Sequence, residues 1–313
     1  MDIIMGKDFV FGICADVHHG LWGVDESWRM EKFVNEAKER NADFIIQLGD
    51  FICPDELGKK MLDVWNSFDG GKYHVLGNHD TEFGGKEIMM AFQGQKEKYY
   101  SFDRGDFHFV VLDTNYTKIN GEYVDYKDKD HSGANFSCYI PPFELEWLEE
   151  DLNKTDKRTF IFTHATLALG EWTIYNWVAF MNVLWRVNEK AGYNKVTMCF
   201  SGHDHADGYL FKGGVHYVMV NSMSKKIIGM DYTMKSSATP YIEKNCEDIY
   251  KAHVMPFKDP LYMFVKIKEN GLIQMIGKQS EWDGVSPTEA HWDHFASPEI
   301  AYREVWANGM CEL

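Results

Sequence analysis

Residues 73–80 read YHVLGNHD, a short strand-like run that stops at Gly77 and opens on Asn78, His79 and Asp80. A run of this length closed by glycine reads as a buried strand giving way to a loop. Four other stretches repeat the arrangement. FVFGICAD (9–16) ends on Asp16 and is followed by Val17 and His18; DFIIQLGD (43–50) ends on Asp50. TFIFTHA (159–165) carries His164, and VTMCFSGHDH (196–205) closes with His203 and His205. In an open α/β sheet, ligands bind outside the carboxyl ends of the strands. Five such ends converging would bring aspartates, an asparagine and several histidines into one crevice. So many carboxylate, amide and imidazole groups buried together are costly unless a positive charge sits among them. Divalent metal is the economical answer, and the mixed N/O donors suit Mn, Fe or Zn better than Ca or Mg.

The remainder of the chain is compatible with that centre. Its 313 residues are 45% apolar and 15% aromatic, enough for a substantial core. They are read as one domain, with a core over about 9–220, further strands to about 278 and an arm over 279–313. No apolar stretch reaches the roughly 20 residues needed to span a bilayer, and MDIIMGKDFVFG has too little positive charge for a secretory signal. The formal charge of −16 argues against a dedicated nucleic-acid binder, which would carry a basic stripe. None of the six cysteines forms a C-x-x-C pair. Cys14 and Cys199 lie inside strand runs, where free Cys acts as a small hydrophobe. A reducing compartment, the cytoplasm, is expected.

Strand and helix alternate through the first two thirds. Helices are expected over about 26–40, 54–68, 87–92, 143–152 and 174–190. Tyr99–Phe102 and Phe107–Leu112 read as a hairpin. A long polar loop runs from 115 to 139, and loops of that length are often functional. After residue 205 the pattern turns to antiparallel strands (YLFKGG, VHYVMVNS, LYMFVKIKEN, GLIQMIGK), interrupted by an insertion over 224–260 with no clear period. The acidic run Glu144–Asp151 reads as the wet face of a helix.

Within the crevice, Asp16 and His18 are expected to face the same way, as are His203 and His205, because i and i+2 share a side of an extended chain. Two ions about 3.5–4 Å apart need a shared ligand. Asp50 is the candidate bridge, since a carboxylate offers two oxygens.

The motifs D-x-H, G-D, G-N-H-D, a lone strand-end His and G-H-x-H stand here in that order, over roughly residues 9–220. The chain thereby resembles the calcineurin-like metallophosphoesterase superfamily. The resemblance implies a four-layer α/β/β/α sandwich with mixed sheets and a two-metal site at the strand ends. It implies that Asp16, His18, Asp50 and His205 hold one divalent ion, and that Asp50, Asn78, His164 and His203 hold the other. It implies that His79 is the catalytic histidine, with Asp80 as the carboxylate that orients its ring. The expected reaction is hydrolysis of a phosphoester in a small substrate, with nucleotides among the candidates, by a hydroxide generated between the metals. A phosphodiesterase is the first reading and a phosphomonoesterase the second. A non-catalytic scaffold would have lost ligands, and none is missing. A purple acid type would need a tyrosine after Asp50, where Phe51, Ile52 and Cys53 stand. His19 and Trp22 are expected in an exposed loop, His74 and His108 as structural, and His131, Asn135 and Phe136 as possible walls of the substrate site.

Overall fold

The computed structural model describes residues 8–126, 138–170, 173–228, 254–289 and 296–309. His131, Asn135, Phe136 and the Trp22 side chain lie outside the described part.

The first half runs β1 (Phe9–Cys14), α1 (Ser27–Glu39), β2 (Phe44–Gln47), α2 (Glu56–Asn66), β3 (Gly71–His74) and α3 (Lys86–Gln93). The hairpin β4 (Tyr100–Arg104) and β5 (Phe107–Val111) follows, then a second hairpin, β6 (Tyr116–Ile119) and β7 (Glu122–Asp125). Next come α4 (Pro142–Asn153), β8 (Arg158–Phe162), α5 (Trp177–Ala191) and β9 (Val196–Ser201). The chain closes with β10 (Gly208–Lys212), β11 (Val215–Met219), β12 (Lys225–Ile227), β13 (Val254–Pro256), β14 (Met263–Ile267), β15 (Leu272–Ile276) and β16 (Arg303–Trp306).

Two six-stranded mixed sheets result. The first has the order β16-β15-β14-β1-β2-β3, the second β10-β11-β9-β8-β5-β4. Their facing sides share a phenylalanine-rich core in which Phe11, Phe44, Phe109, Phe160, Phe162 and Phe200 are fully or almost fully buried. Phe11 stacks on Phe44 with centroids 4.8 Å apart and meets Phe162 edge-on at 6.0 Å. Such pairs add about 0.5–1.5 kcal/mol each beyond the burial of their area. Outside the first sheet, Met30, Phe33, Val34 and Ala37 of α1 and Met61 and Trp65 of α2 form a second core with β1 and β2 residues. Outside the second sheet, Leu145, Leu148 and Leu152 of α4 and Phe180, Val183, Leu184 and Val187 of α5 form a third. The layers are therefore helix, sheet, sheet, helix, as the resemblance implied.

Three local expectations are corrected. The loop over 115–139 contains a hairpin, with Tyr116 opposite Asp125 and Ile119 opposite Glu122. The tail is not all an overlying arm, because Arg303–Trp306 pairs antiparallel with Leu272–Met275 and ends the first sheet. Glu144 is not on a wet face: it is fully buried and accepts from the Asp113 backbone N–H at 2.7 Å. The ends of the 224–260 insertion pair with one another as β12 and β13.

Parallel pairing is what positions the site. β1, β2 and β3 run parallel, as do β5, β8, β9 and β11. Their carboxyl ends therefore open on one edge of the sandwich, as in other α/β sheets.

Candidate metal centre

All five strand-end clusters meet at that edge. Ligand atoms of Asp16, His18 and His205 lie within 4.8 Å of one another, and so do those of Asp50, His164 and His203. In the first group, His18 Nε2 faces His205 Nε2 at 3.0 Å, and Asp16 Oδ1 is 3.4 Å from His205 Nε2. In the second, His164 Nε2 is 3.0 Å from His203 Nδ1, 2.9 Å from Asn78 Oδ1 and 3.3 Å from Asp50 Oδ2. The same Asp50 oxygen is 3.8 Å from His18 Nε2. One carboxylate oxygen thus reaches both groups.

Asp16 and His18 do share a group, but not because the chain there is extended. Asp16, His18, His203 and His205 have φ of +50°, +49°, +72° and +47°, so neither pair sits on extended backbone. Each pair instead follows a left-handed turn. His203 goes to the second group while His205 goes to the first, so the G-H-x-H motif spans the centre. The glycines of the motifs are there for space. A Cβ on Gly77 would lie 2.1 Å from Asp50 Oδ1, and one on Gly202 would lie 2.6 Å from Asp16 Oδ2.

Second partners fix the rings. His164 Nδ1 donates to the Leu48 carbonyl at 2.8 Å, and His205 Nδ1 to the Lys225 carbonyl at 2.7 Å. Both rings are therefore held with Nε2 toward the centre, the arrangement found around metal-ligating histidines. Asp16 Oδ2 accepts from His203 N at 2.9 Å, whereas buried Asp16 Oδ1 accepts no hydrogen bond. Convergent lone pairs and an orphaned buried carboxylate oxygen call for a cation. The donors present, imidazole nitrogens with carboxylate and amide oxygens, fit a divalent transition metal.

The electrostatics agree. Burial holds His18 and His203 well below the usual histidine range, which favours the neutral ring at both. Burial also opposes charge on His164, but the Asp50 carboxylate overrides it and pushes that ring up to about 10. Asp50 itself, despite its burial, is held well below the usual carboxylate range by His164 and His79.

His79 stands at the rim, its ring edge-on to His18 with centroids 5.2 Å apart. Its carboxylate partner is Glu82, with Oε1 2.6 Å from His79 Nδ1. Asp80 does not orient this ring. Its two oxygens accept from the backbone N–H groups of Asp50 (3.0 Å), Phe51 (3.0 Å) and Gly77 (2.8 Å), so it ties the second motif to the third. Burial opposes charge on His79, and Asp50 together with Glu82 raises it to about 9. Glu82 was legible in principle: residues i and i+3 share a face of the 3-10 turn His79–Thr81. The Leu48 and Lys225 carbonyls carried no side-chain signal. His19 is a further correction, being fully buried, with Nε2 2.8 Å from the Leu57 carbonyl and Nδ1 accepting from Glu26 N at 2.9 Å. His74 and His108 are structural as expected: His74 Nδ1 is 3.2 Å from Gln47 Nε2, and His108 bridges Asp103 and Asp151.

The signature of the calcineurin-like phosphoesterases matches residues 9–207. The chain belongs to that family. It is a metal-dependent hydrolase of phosphoester bonds with a site for two divalent ions. A manganese-dependent ADP-ribose/CDP-alcohol diphosphatase of Arabidopsis thaliana is 24% identical over 267 residues, spanning 67% of this chain and 84% of that protein. In fold the chain is similar to a dimetal phosphatase from Danio rerio (TM-score 0.61, 15% identity, 89% of this chain and 99% of that one). It is also similar to GAP50, the anchor in the inner membrane complex of Plasmodium (TM-score 0.51, 15% identity, 94% of this chain and 90% of that one). Among the described residues, no helix is long and apolar enough to cross a membrane.

Proposed function

We propose that this hydrolase cleaves the phosphoanhydride or phosphodiester of a small nucleotide-type substrate, and that manganese is its metal. The observation that carries the reading is Asp50 Oδ2, 3.3 Å from His164 Nε2 and 3.8 Å from His18 Nε2. That oxygen would be shared. Asp16, His18 and His205 would complete one position, and Asn78, His164 and His203 the other. When bound, the pair of ions supplies Lewis acidity toward phosphoryl oxygens and a nucleophile available near neutral pH. His79, held by Glu82, would donate a hydrogen bond to a phosphoryl oxygen or a proton to the leaving oxygen. Asp80 positions Asp50 through the backbone. The similarity to the ADP-ribose/CDP-alcohol diphosphatase supports a diphosphate substrate over a monoester. We also place the protein in the cytoplasm as a single domain; the free, buried thiols of Cys14, Cys53, Cys138 and Cys199 support the compartment.

The test is metal analysis with hydrolysis of ADP-ribose, CDP-choline and p-nitrophenyl phosphate by the manganese-loaded chain. The expected result is two ions per chain and a kcat/KM at least about tenfold higher on the diphosphates. A preference for the monoester would overturn the substrate reading, and loaded protein without turnover would overturn catalysis.

A further inference from the structure

The segments that follow β5 and β8 carry a row of three tyrosines, Tyr123, Tyr139 and Tyr175, with no part in the metal centre. Tyr139 meets Tyr123 edge-on (5.5 Å, 78°) and lies nearly parallel to Tyr175 (5.3 Å, 28°). Tyr123 and Tyr139 are half-buried, whereas Tyr175 is 60% exposed, one of the largest exposures of any apolar ring described.

The row is rooted in backbone that touches the flanks of the metal ligands. β5 and β8 are parallel neighbours, so the segment after β5 leaves the sheet beside His164. Ala165 N donates to Thr114 Oγ1 at 3.1 Å, and Asn115 Nδ2 donates to the Leu76 carbonyl, two residues before Asn78, at 2.7 Å. Tyr139 N donates to the Tyr116 carbonyl at 3.1 Å, Tyr175 N to the Cys138 carbonyl at 2.9 Å and Ile174 N to the Thr166 carbonyl at 2.9 Å. Tyr175 thus follows Ile174, which is bonded two residues beyond His164, and Tyr139 is bonded to Tyr116, the neighbour of Asn115, whose side chain reaches Leu76. A ring on such a scaffold has two side-chain torsions to fix, which makes it a low-entropy contact.

Resting on the reading of a nucleotide-type diphosphate, we propose that Tyr175, backed by Tyr139, is the subsite for the nucleobase. The chain is strongly acidic, at −16, so a recognition surface for the part of the substrate beyond the phosphates is best built without charge. A base offers a flat uncharged face, and base–aromatic stacking is worth about 1–3 kcal/mol. The near-parallel pair presents one flat outer face. A quaternary ammonium would call for rings disposed around it as a cage.

The test uses the manganese-loaded full chain and calorimetric titration with AMP, inorganic phosphate and phosphocholine. Wild type should bind AMP more tightly than phosphate. Tyr175→Ala should weaken AMP about 5- to 150-fold and leave phosphate unchanged. Tyr139→Ala should do so more mildly, and Tyr175→Phe should keep AMP affinity. Unchanged phosphate binding shows that the centre is intact in each variant. Loss of AMP and phosphate affinity in equal proportion, or loss confined to phosphocholine, would overturn the subsite. If ADP-ribose is cleaved with the same KM by Tyr175→Ala, the subsite fails while the diphosphatase reading stands. If wild type prefers the monoester yet Tyr175→Ala selectively loses AMP, the subsite stands and the diphosphatase reading falls.

Discussion

Gly77→Ala is the smallest change that should disable the centre without removing a ligand. A methyl there would sit 2.1 Å from Asp50 Oδ1 and 2.2 Å from Asp50 N, where contacts below 3.0 Å essentially never occur. The gap must open by about 0.9 Å. Neither atom is the free tip of a flexible side chain. Asp50 Oδ1 accepts from His79 N at 2.8 Å, and Asp50 N donates to Asp80 Oδ2 at 3.0 Å. Gly77 N donates to that same Asp80 oxygen at 2.8 Å, so the strain is shared by all three residues. The displacement must reach Asp50 Oδ2, the oxygen common to both metal groups. A misplacement of 1 Å at a reacting centre costs about 10²-fold, and overpacking costs about 1–3 kcal/mol of stability. Gly77→Ala should therefore fold with a lower urea midpoint, hold fewer than two manganese ions per chain and lose about 100-fold in kcat on ADP-ribose. Gly23→Ala is the control. Its Cβ would meet nothing within 4 Å, but φ is +75°, so it should lose stability and keep activity. Emission spectrometry for metal, a coupled phosphate assay and urea melts give the three numbers. Two ions per chain and a kcat within about threefold of wild type for Gly77→Ala would refute the argument that Asp50 is fixed by this contact.

Asp50→Asn should lower metal content at both positions, and two ions retained per chain would contradict the shared oxygen. His79→Ala should keep its metal and lose about 10²–10⁴-fold in kcat. Glu82→Gln should keep metal and lose about 10- to 100-fold, since a carboxylate that orients a functional ring contributes on that scale; full activity would return Glu82 to an ordinary surface acid. Manganese affinity should rise with pH. Burial disfavours charge on His164, but Asp50 raises the ring to about 10, so it carries a proton at pH 7 that must leave before Nε2 can ligate. His18 and His203 are held neutral by burial and release none. The affinity should climb about tenfold per unit from about pH 6 to pH 9, with one proton released per chain, and a pH-independent constant in calorimetry would exclude this account.

What the sequence made legible was chemistry placed at the ends of short strands. Asp16, Asp50, His164, His203 and His205 follow runs that are largely buried on both faces, and Asn78 follows the half-buried edge strand β3. What stayed hidden was pairing decided by tertiary contact. Arg303–Trp306 is four residues long with two charges, and only its register against β15 makes it a strand. Glu144 belongs to a helix with acids on several sides, and its burial follows from the Asp113 amide waiting above it. Asp80 looked like a partner for its neighbour His79, yet three backbone N–H groups claim it first. Sequence adjacency is a poor guide where a 3-10 turn swings the next side chain away, and the i+3 residue Glu82 takes the place that i+1 was expected to fill.

The backbone of the site explains why its ligands come from turns rather than from the strands themselves. Among the described residues, seven non-glycine positions have positive φ; Asn41 and Asn120 are two of them, and the other five are Asp16, His18, Asp50, His203 and His205. Left-handed backbone costs an L-residue roughly 1–2 kcal/mol, so five together approach the net stability of a whole domain. Such a cluster persists only where neighbours over-determine it. Here they do: Asp16 N donates to the Gly49 carbonyl (3.1 Å), His18 N to the Asp50 carbonyl (2.9 Å) and His203 N to Asp16 Oδ2 (2.9 Å). Each ligand turn is held by another ligand turn. An extended strand would have sent residues i and i+1 to opposite faces of the sheet, into two different cores. Bending the ends of β1, β2 and β9 into the left-handed region instead turns their polar side chains out of both cores and toward one point, where Asn78 and His164 arrive on backbone of negative φ. The strain and the convergence are thus one feature, and its cost is met by the same cross-turn hydrogen bonds that fix where the metals would sit.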